Sequence, residues 1–293
     1  MKKIIHYFLA IFTVVAFHSC EKDEPDGNNS IFDTSTPELN SFDVWLRENY
    51  VAPYNIRVYY QLRDIETDFD YNVIPADFQK AKQMAFLLKY LWLEAYEEVA
   101  ADGVHFVRAN APRIMHYLGS AEWSPDVQTM RLGVAEGGLK ITISEVNDLI
   151  PKQISSQRFF NTIHHEFGHI LNQAKNYSTD FQKISAGKYM PAQWQLRGEA
   201  AAAADGFVSS YGGSQPEEDF VEVLARYITY TPAQWNAKLT QAGETGGEII
   251  LTKLNIVKKY MQDMWGVDID ELKAVIQRRA NEIQFMDFDN LGF

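Results

Sequence analysis

The distribution of apolar and polar residues divides the 293-residue chain into three parts. Ile4 to Phe17 is a mostly apolar run that follows two lysines and is too short to cross a bilayer comfortably. A polar stretch from Glu21 to Ser30 follows, with nothing to bury. From about Ser41 onward, apolar residues recur at the spacings of strands and helices. This order predicts a cleaved signal peptide, a flexible tether and one folded domain.

Short β-branched or aromatic runs bounded by Gly, Pro or Asn predict strands in the first half of the domain. These runs are Asn55–Leu62, Arg113–Leu118, Met130–Val134 and Leu139–Ser144. Helical periodicity predicts helices at Asp77–Val99, Ser155–Lys175, Gly198–Ser209, Glu217–Tyr230, Leu254–Met264 and Ile269–Ile283. A small mixed sheet followed by helices, with a helix-rich C-terminal half, is an α+β fold.

Composition narrows the class of protein. Hydrophobic residues make up 46% of the chain, enough to bury a sizeable core, and no second linker interrupts residues 41–293. A net charge of -12 argues against a nucleic-acid partner, because such proteins need a positive surface. The single cysteine excludes an internal disulfide and a thiolate-rich zinc site.

That cysteine lies directly after the apolar run. Ser19-Cys20 resembles the cleavage box of bacterial lipoproteins, which implies a signal peptide over residues 1–19 and a lipidated Cys20 that begins a tether over residues 20–40. The following Glu21-Lys22-Asp23-Glu24 resembles the surface-export signal of Bacteroidetes lipoproteins. We therefore expect an outer-membrane lipoprotein exposed at the cell surface. The alternatives are an ordinary secretory signal and a plain linker on a periplasm-facing protein.

The candidate chemistry lies on the predicted helix Ser155–Lys175, which carries the sequence His165-Glu166-Phe167-Gly168-His169. Histidines four residues apart share one helix face and can bind one zinc ion. The glutamate beside the first histidine can then accept a proton from the attacking water. A motif this short also occurs by chance, so it is weak evidence alone. The apolar residues around it strengthen the assignment, because they predict a buried core helix that can hold a site rigidly.

A third ligand is needed, since catalytic zinc takes three protein ligands. Metzincins are excluded, because Asn172 and Lys175 stand where that class has glycine and histidine. Acidic candidates downstream include Asp180, Glu199, Asp205, Glu217, Glu218, Asp219 and Glu222. The last group offers two glutamates one turn apart, of which one can bind metal while the other braces a ligand histidine.

The stretch from Ser209 to Glu222, SSYGGSQPEEDFVE, resembles a segment of the anthrax lethal factor group of gluzincins, which share His-Glu-Phe-Gly-His. The resemblance implies that Glu218 is the third zinc ligand, that Glu222 supports a ligand histidine, and that Tyr211 donates a hydrogen bond to the oxyanion. Asp219 departs from the pattern, because that group has an aromatic residue there.

The whole chain is also similar to zinc metallohydrolase lipoproteins of Bacteroidetes that are encoded beside outer-membrane nutrient importers. This similarity implies a zincin-like domain, one zinc ion, a peptide or protein substrate and a role in nutrient acquisition. Two alternatives remain open: a non-catalytic substrate-binding lipoprotein, and a zinc amidase or esterase acting on a non-peptide substrate. We expect His164, Glu199 and Asp205 to have packing or structural roles.

Overall fold

The protein is described here from a computed structural model that covers residues 38–67, 70–124, 129–131, 133–136, 138–156 and 158–293. The predicted signal peptide and the predicted lipidation site at Cys20 lie outside these residues. Asn40–Phe293 form one compact unit. Within the described ranges, no helix has the length and hydropathy needed to span a membrane.

A four-stranded mixed sheet occupies the first half of the domain. Its strands follow the order β1-β2-β6-β5, with β1, β2 and β6 parallel and β5 antiparallel to β6. A separate hairpin joins β3 and β4. The strands are β1 (Arg57–Tyr59), β2 (Ile114–Tyr117), β3 (Glu122–Ser124), β4 (Thr129–Arg131), β5 (Gly133–Glu136) and β6 (Lys140–Ile143).

Helices precede and separate the strands along the chain and form the C-terminal half. They are α1 (Ser41–Leu46), α2 (Ala52–Tyr54), α3 (Phe78–Leu88), α4 (Glu94–Val99), α5 (Val104–Asn110), α6 (Arg158–Ala174), α7 (Asp180–Ile184), α8 (Glu199–Ala204), α9 (Pro216–Thr229), α10 (Pro232–Trp265) and α11 (Ile269–Glu282). Five-residue π-helical segments, Arg47–Val51 and Lys89–Leu93, join α1 to α2 and α3 to α4. The α+β class predicted from the sequence is therefore confirmed.

Helix α6 is largely buried between other elements of the domain. It packs on β5 and β6 on one side and on α9 on another. The ring of Phe167 contacts Trp92, Tyr96 and Phe106 edge-on, so the helix is also fixed against the segments that carry these rings. A helix enclosed in this way holds its side chains in one orientation, as a metal site requires.

Several predicted boundaries are wrong for local reasons. The single strand predicted at 130–134 is two strands, β4 and β5. The helix predicted at 198–209 ends at Ala204, because Gly206 adopts a left-handed φ of 88° that stops the helix. Helix α10 begins at Pro232, well before the predicted Leu254, and includes a non-helical residue at Gly243.

Candidate metal centre

Three ligand-type atoms from two helices meet at one point. The Nε2 atoms of His165 and His169 on α6 lie 3.2 Å apart. Oε2 of Glu218 on α9 lies 3.0 Å from the first nitrogen and 3.2 Å from the second. No other group of three or more His, Cys, Asp or Glu among the described residues converges in a way that could hold a metal ion.

This donor set fits a zinc ion. Zinc–ligand bonds of about 2.0–2.1 Å in a tetrahedral arrangement place neighbouring ligand atoms about 3.3 Å apart, close to the separations found here. Two imidazole lone pairs and a carboxylate oxygen facing each other also need a cation or a proton between them. The residues therefore fit a single zinc ion, and a fourth position remains for water or substrate.

The other carboxylate of α9 contacts the opposite side of the first histidine. Oε1 of Glu222 lies 2.9 Å from Nδ1 of His165, while Oε2 accepts hydrogen bonds from Ser209 Oγ at 2.5 Å and Arg226 Nε at 2.6 Å. With a proton on Nδ1 bound to Glu222, the lone pair of His165 is on Nε2 and faces the metal position.

The charged groups around the three donors shift the pKa of His165 and of Glu218 in opposite directions. Burial lowers the pKa of His165, but Glu218 and Glu222 outweigh that effect and raise the pKa to about 10. The two histidines in turn hold the pKa of Glu218 below its usual range, although burial acts in the opposite direction.

Two further side chains adjoin the three donors. Glu166 is 8% exposed and follows His165 on α6. Tyr211, in the short 3₁₀ turn Tyr211–Gly213, is 36% exposed, and its ring lies 5.8 Å from that of His165 and 5.0 Å from that of Trp194. Burial, together with the charge of Glu218, raises the pKa of Tyr211, so its hydroxyl remains a hydrogen-bond donor at neutral pH.

The remaining candidates lie outside the group of donors. His164 is fully buried beside Tyr96, and burial lowers its pKa to about 3, so it stays neutral. Glu199 accepts hydrogen bonds from the backbone nitrogen and Oγ of Ser210. Asp205 lies 3.7 Å from Lys188 and 3.8 Å from Arg197. His164, Glu199 and Asp205 therefore contact other parts of the fold, and none of them belongs to the group of three candidate metal ligands.

The neighbour of Glu218 on α9 has a partner that the sequence analysis missed. Asp219 and Lys253 form an ion pair of 2.7 Å, with both side chains fully buried. Tyr189 also donates a hydrogen bond to Asp219, and Lys253 donates one to the carbonyl of Gly206. The sequence does indicate such a pair, because Lys253 lies among the apolar positions of α10, where a charged residue needs a buried partner.

Two imidazoles and one carboxylate on packed helices of an α+β domain are the donor set of a zinc metallohydrolase. Residues 35–270 match the family model described as "Putative zinc-binding metallo-peptidase", and the chain belongs to this family. Its cofactor is therefore zinc, for which the His165, His169 and Glu218 group offers a site for one ion.

A solved structure supports the same assignment. It is the crystal structure of a putative zinc-binding metallo-peptidase from Bacteroides caccae ATCC 43185. That protein is 49% identical to this chain, the match covers 89% of this chain and 99% of that chain, and the TM-score is 0.74. The comparison with curated proteins gives no match.

Proposed function

We propose that the protein is a zinc metallopeptidase of the HExxH gluzincin type, in which His165, His169 and Glu218 bind one zinc ion. The observation that carries the proposal is the convergence of two Nε2 atoms and one carboxylate oxygen within 3.0–3.2 Å of each other. Glu166 and Tyr211 adjoin this point, which gives the site a candidate base and a candidate hydrogen-bond donor beside the metal.

Each of these residues has a defined part in the proposed reaction. Zinc, when bound, polarises a carbonyl and lowers the pKa of water to about 7. Glu166 accepts the proton of the attacking water and passes it to the leaving amine. Tyr211 donates a hydrogen bond to the carbonyl oxygen as negative charge develops there. Glu222 keeps the Nε2 lone pair of His165 directed at the metal.

Spacing supports the proposed relation to the lethal factor group. Tyr211 precedes Glu218 by seven residues, and Glu222 follows Glu218 by one helical turn. In the structure Glu218 lies on the Nε2 side of His165 and Glu222 on its Nδ1 side, and the ring of Tyr211 lies 5.8 Å from the imidazole ring. This arrangement supports the roles that the resemblance implies for Glu218, Tyr211 and Glu222.

The proposed substrate is a peptide or protein, and the Glu166→Gln variant tests the proposal. We expect the zinc-loaded wild type to cleave members of a denatured-protein library and to stop when a chelator is added. Glu166→Gln should keep one zinc ion and lose turnover, because glutamine keeps the shape but cannot accept the proton.

Other outcomes of the same screen favour the alternatives. Hydrolysis of amides or esters, without cleavage of any protein, would make the enzyme a zinc hydrolase of non-peptide substrates. Zinc binding and substrate retention without turnover in the wild type would favour a non-catalytic binding lipoprotein.

We also propose that the protein is anchored through Cys20 to the outer membrane, with its domain at the cell surface and an outer-membrane nutrient importer as a partner. The support is the position of the chain's one cysteine directly after the apolar run. The Cys20→Ala variant should move from the membrane fraction to the soluble fraction. A variant as firmly membrane-bound as the wild type would contradict the anchor.

A further inference from the structure

We propose that Ser209 is a positioning residue whose single hydroxyl ties the turn carrying Tyr211 to the carboxylate that braces the metal ligand His165. The expected effect of Ser209 on zinc affinity depends on the metal site alone. Its expected effect on Tyr211 rests on the function proposed above.

The hydroxyl of Ser209 has two partners on different segments. Ser209 is 1% exposed, and its Oγ donates a hydrogen bond to Oε2 of Glu222 at 2.5 Å while it accepts one from the backbone nitrogen of Gly212 at 3.0 Å. A serine hydroxyl has one proton, so the donor and acceptor roles are fixed by the partners: a carboxylate can only accept, and a backbone N–H can only donate.

On the metal side, this contact completes the support of the first histidine. Glu222 uses Oε1 for Nδ1 of His165 and Oε2 for both Ser209 and Arg226. Arg226 is on the same helix as Glu222, one turn further along, whereas Ser209 precedes the helix in a separate turn. The serine contact therefore fixes the carboxylate relative to a second part of the chain.

On the turn side, the same hydroxyl fixes the backbone on both sides of Tyr211. Gly212 approaches closely, since a Cβ there would lie 3.4 Å from both Ser209 Oγ and Glu222 Cβ. The outer side of the turn is held by Glu199, which accepts two hydrogen bonds from Ser210. Loss of the Ser209 hydroxyl removes the inner support, so both the metal brace and the tyrosine should be affected.

The experiment compares Ser209→Ala with Ser185→Ala in the full zinc-binding protein. Ser185 is equally buried, and its Oγ has no hydrogen-bond partner among the described residues. Zinc affinity is measured by competition with a chelator, and exchange of the Gly212 amide is measured by hydrogen–deuterium exchange. Ser209→Ala should weaken zinc binding about 10-fold, at the lower end of the effect of losing a hydrogen bond that supports a ligand, and should accelerate exchange at Gly212. Ser185→Ala should change neither.

Double variants separate the two connections. In a Glu222→Ala background, Ser209→Ala should cause no further loss of zinc affinity, because the brace is already absent. In a Tyr211→Phe background the loss of zinc affinity should persist, while turnover, already reduced about 10²-fold by removal of an oxyanion donor, should fall little further. The Ser209→Thr variant keeps the hydroxyl and should restore most of the zinc affinity that Ser209→Ala loses.

Three results would overturn the inference: zinc affinity in Ser209→Ala equal to that in Ser185→Ala, an unchanged exchange rate at Gly212, or a full additional loss of affinity on top of Glu222→Ala. A wild type without turnover would contradict the peptidase proposal instead. The zinc affinities and the Gly212 exchange would still decide the role of Ser209.

Discussion

At the scale of single residues, the roles of the two glutamates on α9 follow from which nitrogen of His165 each one faces. Glu218 lies against Nε2, the same nitrogen that faces His169. Glu222 lies against Nδ1, on the other side of the ring. One imidazole ring cannot offer both nitrogens to a single ion, so the residue on the Nε2 side is the expected ligand.

The first prediction ranks three alanine variants by retained zinc. Glu218→Ala should lose zinc on dialysis against a weak chelator, because two histidines alone bind it poorly. Glu222→Ala should bind zinc about 10–100-fold more weakly than the wild type, as is usual when a ligand loses its supporting hydrogen bond. Metal content measured by mass spectrometry gives the order.

Glu217→Ala is the matched control, since Glu217 is exposed and directly precedes the proposed ligand. It should retain the wild-type amount of zinc. Zinc lost from Glu222→Ala but kept by Glu218→Ala would reverse the assignment.

The sequence allowed the main residues of this site to be proposed, but not their supports. His165, His169 and Glu166 follow from helical spacing, and Glu218 and Tyr211 from the resemblance of the segment around them. Ser209, Arg226 and Lys253 were missed. The partner of a hydroxyl or a buried lysine depends on which segments meet in the folded chain, and short-range spacing contains no information about that.

At the scale of elements, the close approach of α6 and α9 brings the candidate metal ligands together. A Cβ on Gly168 would lie 3.0 Å from Cγ1 and 3.2 Å from Cβ of Val221, which stands between Glu218 and Glu222 on α9. Val221 is fully buried and β-branched, so its side chain has little freedom to rotate away. Glycine at 168 therefore permits the contact that places Glu218 beside the two histidines.

The second prediction concerns Gly168→Ala. Alanine favours a helix over glycine by about 1 kcal/mol, but overpacking a buried contact costs about 1–3 kcal/mol. Because Val221 is rigid, the second effect should exceed the first. We expect a lower free energy of unfolding in urea and weaker zinc binding, since displacement of α9 moves Glu218.

A second helical glycine provides the control for this variant. Gly247 on α10 has room for a methyl group, because the nearest atom to its Cβ position is the carbonyl oxygen of Leu239 at 3.6 Å. Gly247→Ala should therefore stabilise the protein or leave it unchanged. If Gly168→Ala behaved in the same way and kept its zinc affinity, the packing argument would be wrong.

Elements with a simple hydrophobic period were predicted best. Helices α6, α9 and α11 lie within two or three residues of their predicted ranges. The helical region from Ser41 to Tyr54 was missed, because the π-helical segment Arg47–Val51 shifts the apolar period between α1 and α2. The first half of α10 was missed because it contains Gly243, Gly246 and Gly247, although Gly246 serves to bring α10 against the alanine-rich α8.

At the scale of the whole molecule, the pair of Asp219 and Lys253 connects α9, which carries Glu218, to the long helix α10. Lys253 also donates a hydrogen bond to the carbonyl of Gly206, in the segment that leads to the Tyr211 turn. Three parts of the fold thus meet at one buried lysine. Asp219, the position at which the segment departs from the pattern it resembles, therefore has its own buried partner.

The third prediction is that Lys253→Met destabilises the protein by about 3–5 kcal/mol, because it leaves the carboxylate of Asp219 buried without its counter-charge. The double variant Asp219→Leu/Lys253→Met should recover most of this loss, since apolar residues can replace a buried pair at little or no cost. Lys259→Met is the control: Lys259 pairs with Asp263 at the surface, with its side chain 77% exposed, and such pairs contribute little. Urea unfolding measures all three.

The destabilisation caused by Lys253→Met should depend on pH, because Asp219 can take up a proton. Burial raises the pKa of Asp219 to about 6 even though Lys253 opposes the shift, and removal of Lys253 should raise the pKa further. A carboxyl whose pKa is higher in the folded than in the unfolded protein favours folding while it is protonated, and this contribution is lost as the pH rises through the folded pKa. The difference in unfolding free energy between wild type and variant should therefore be small near pH 5 and widen above about pH 6. A difference that stayed constant from pH 5 to 8 would show that removal of Lys253 leaves the pKa of Asp219 unchanged, and would contradict this prediction.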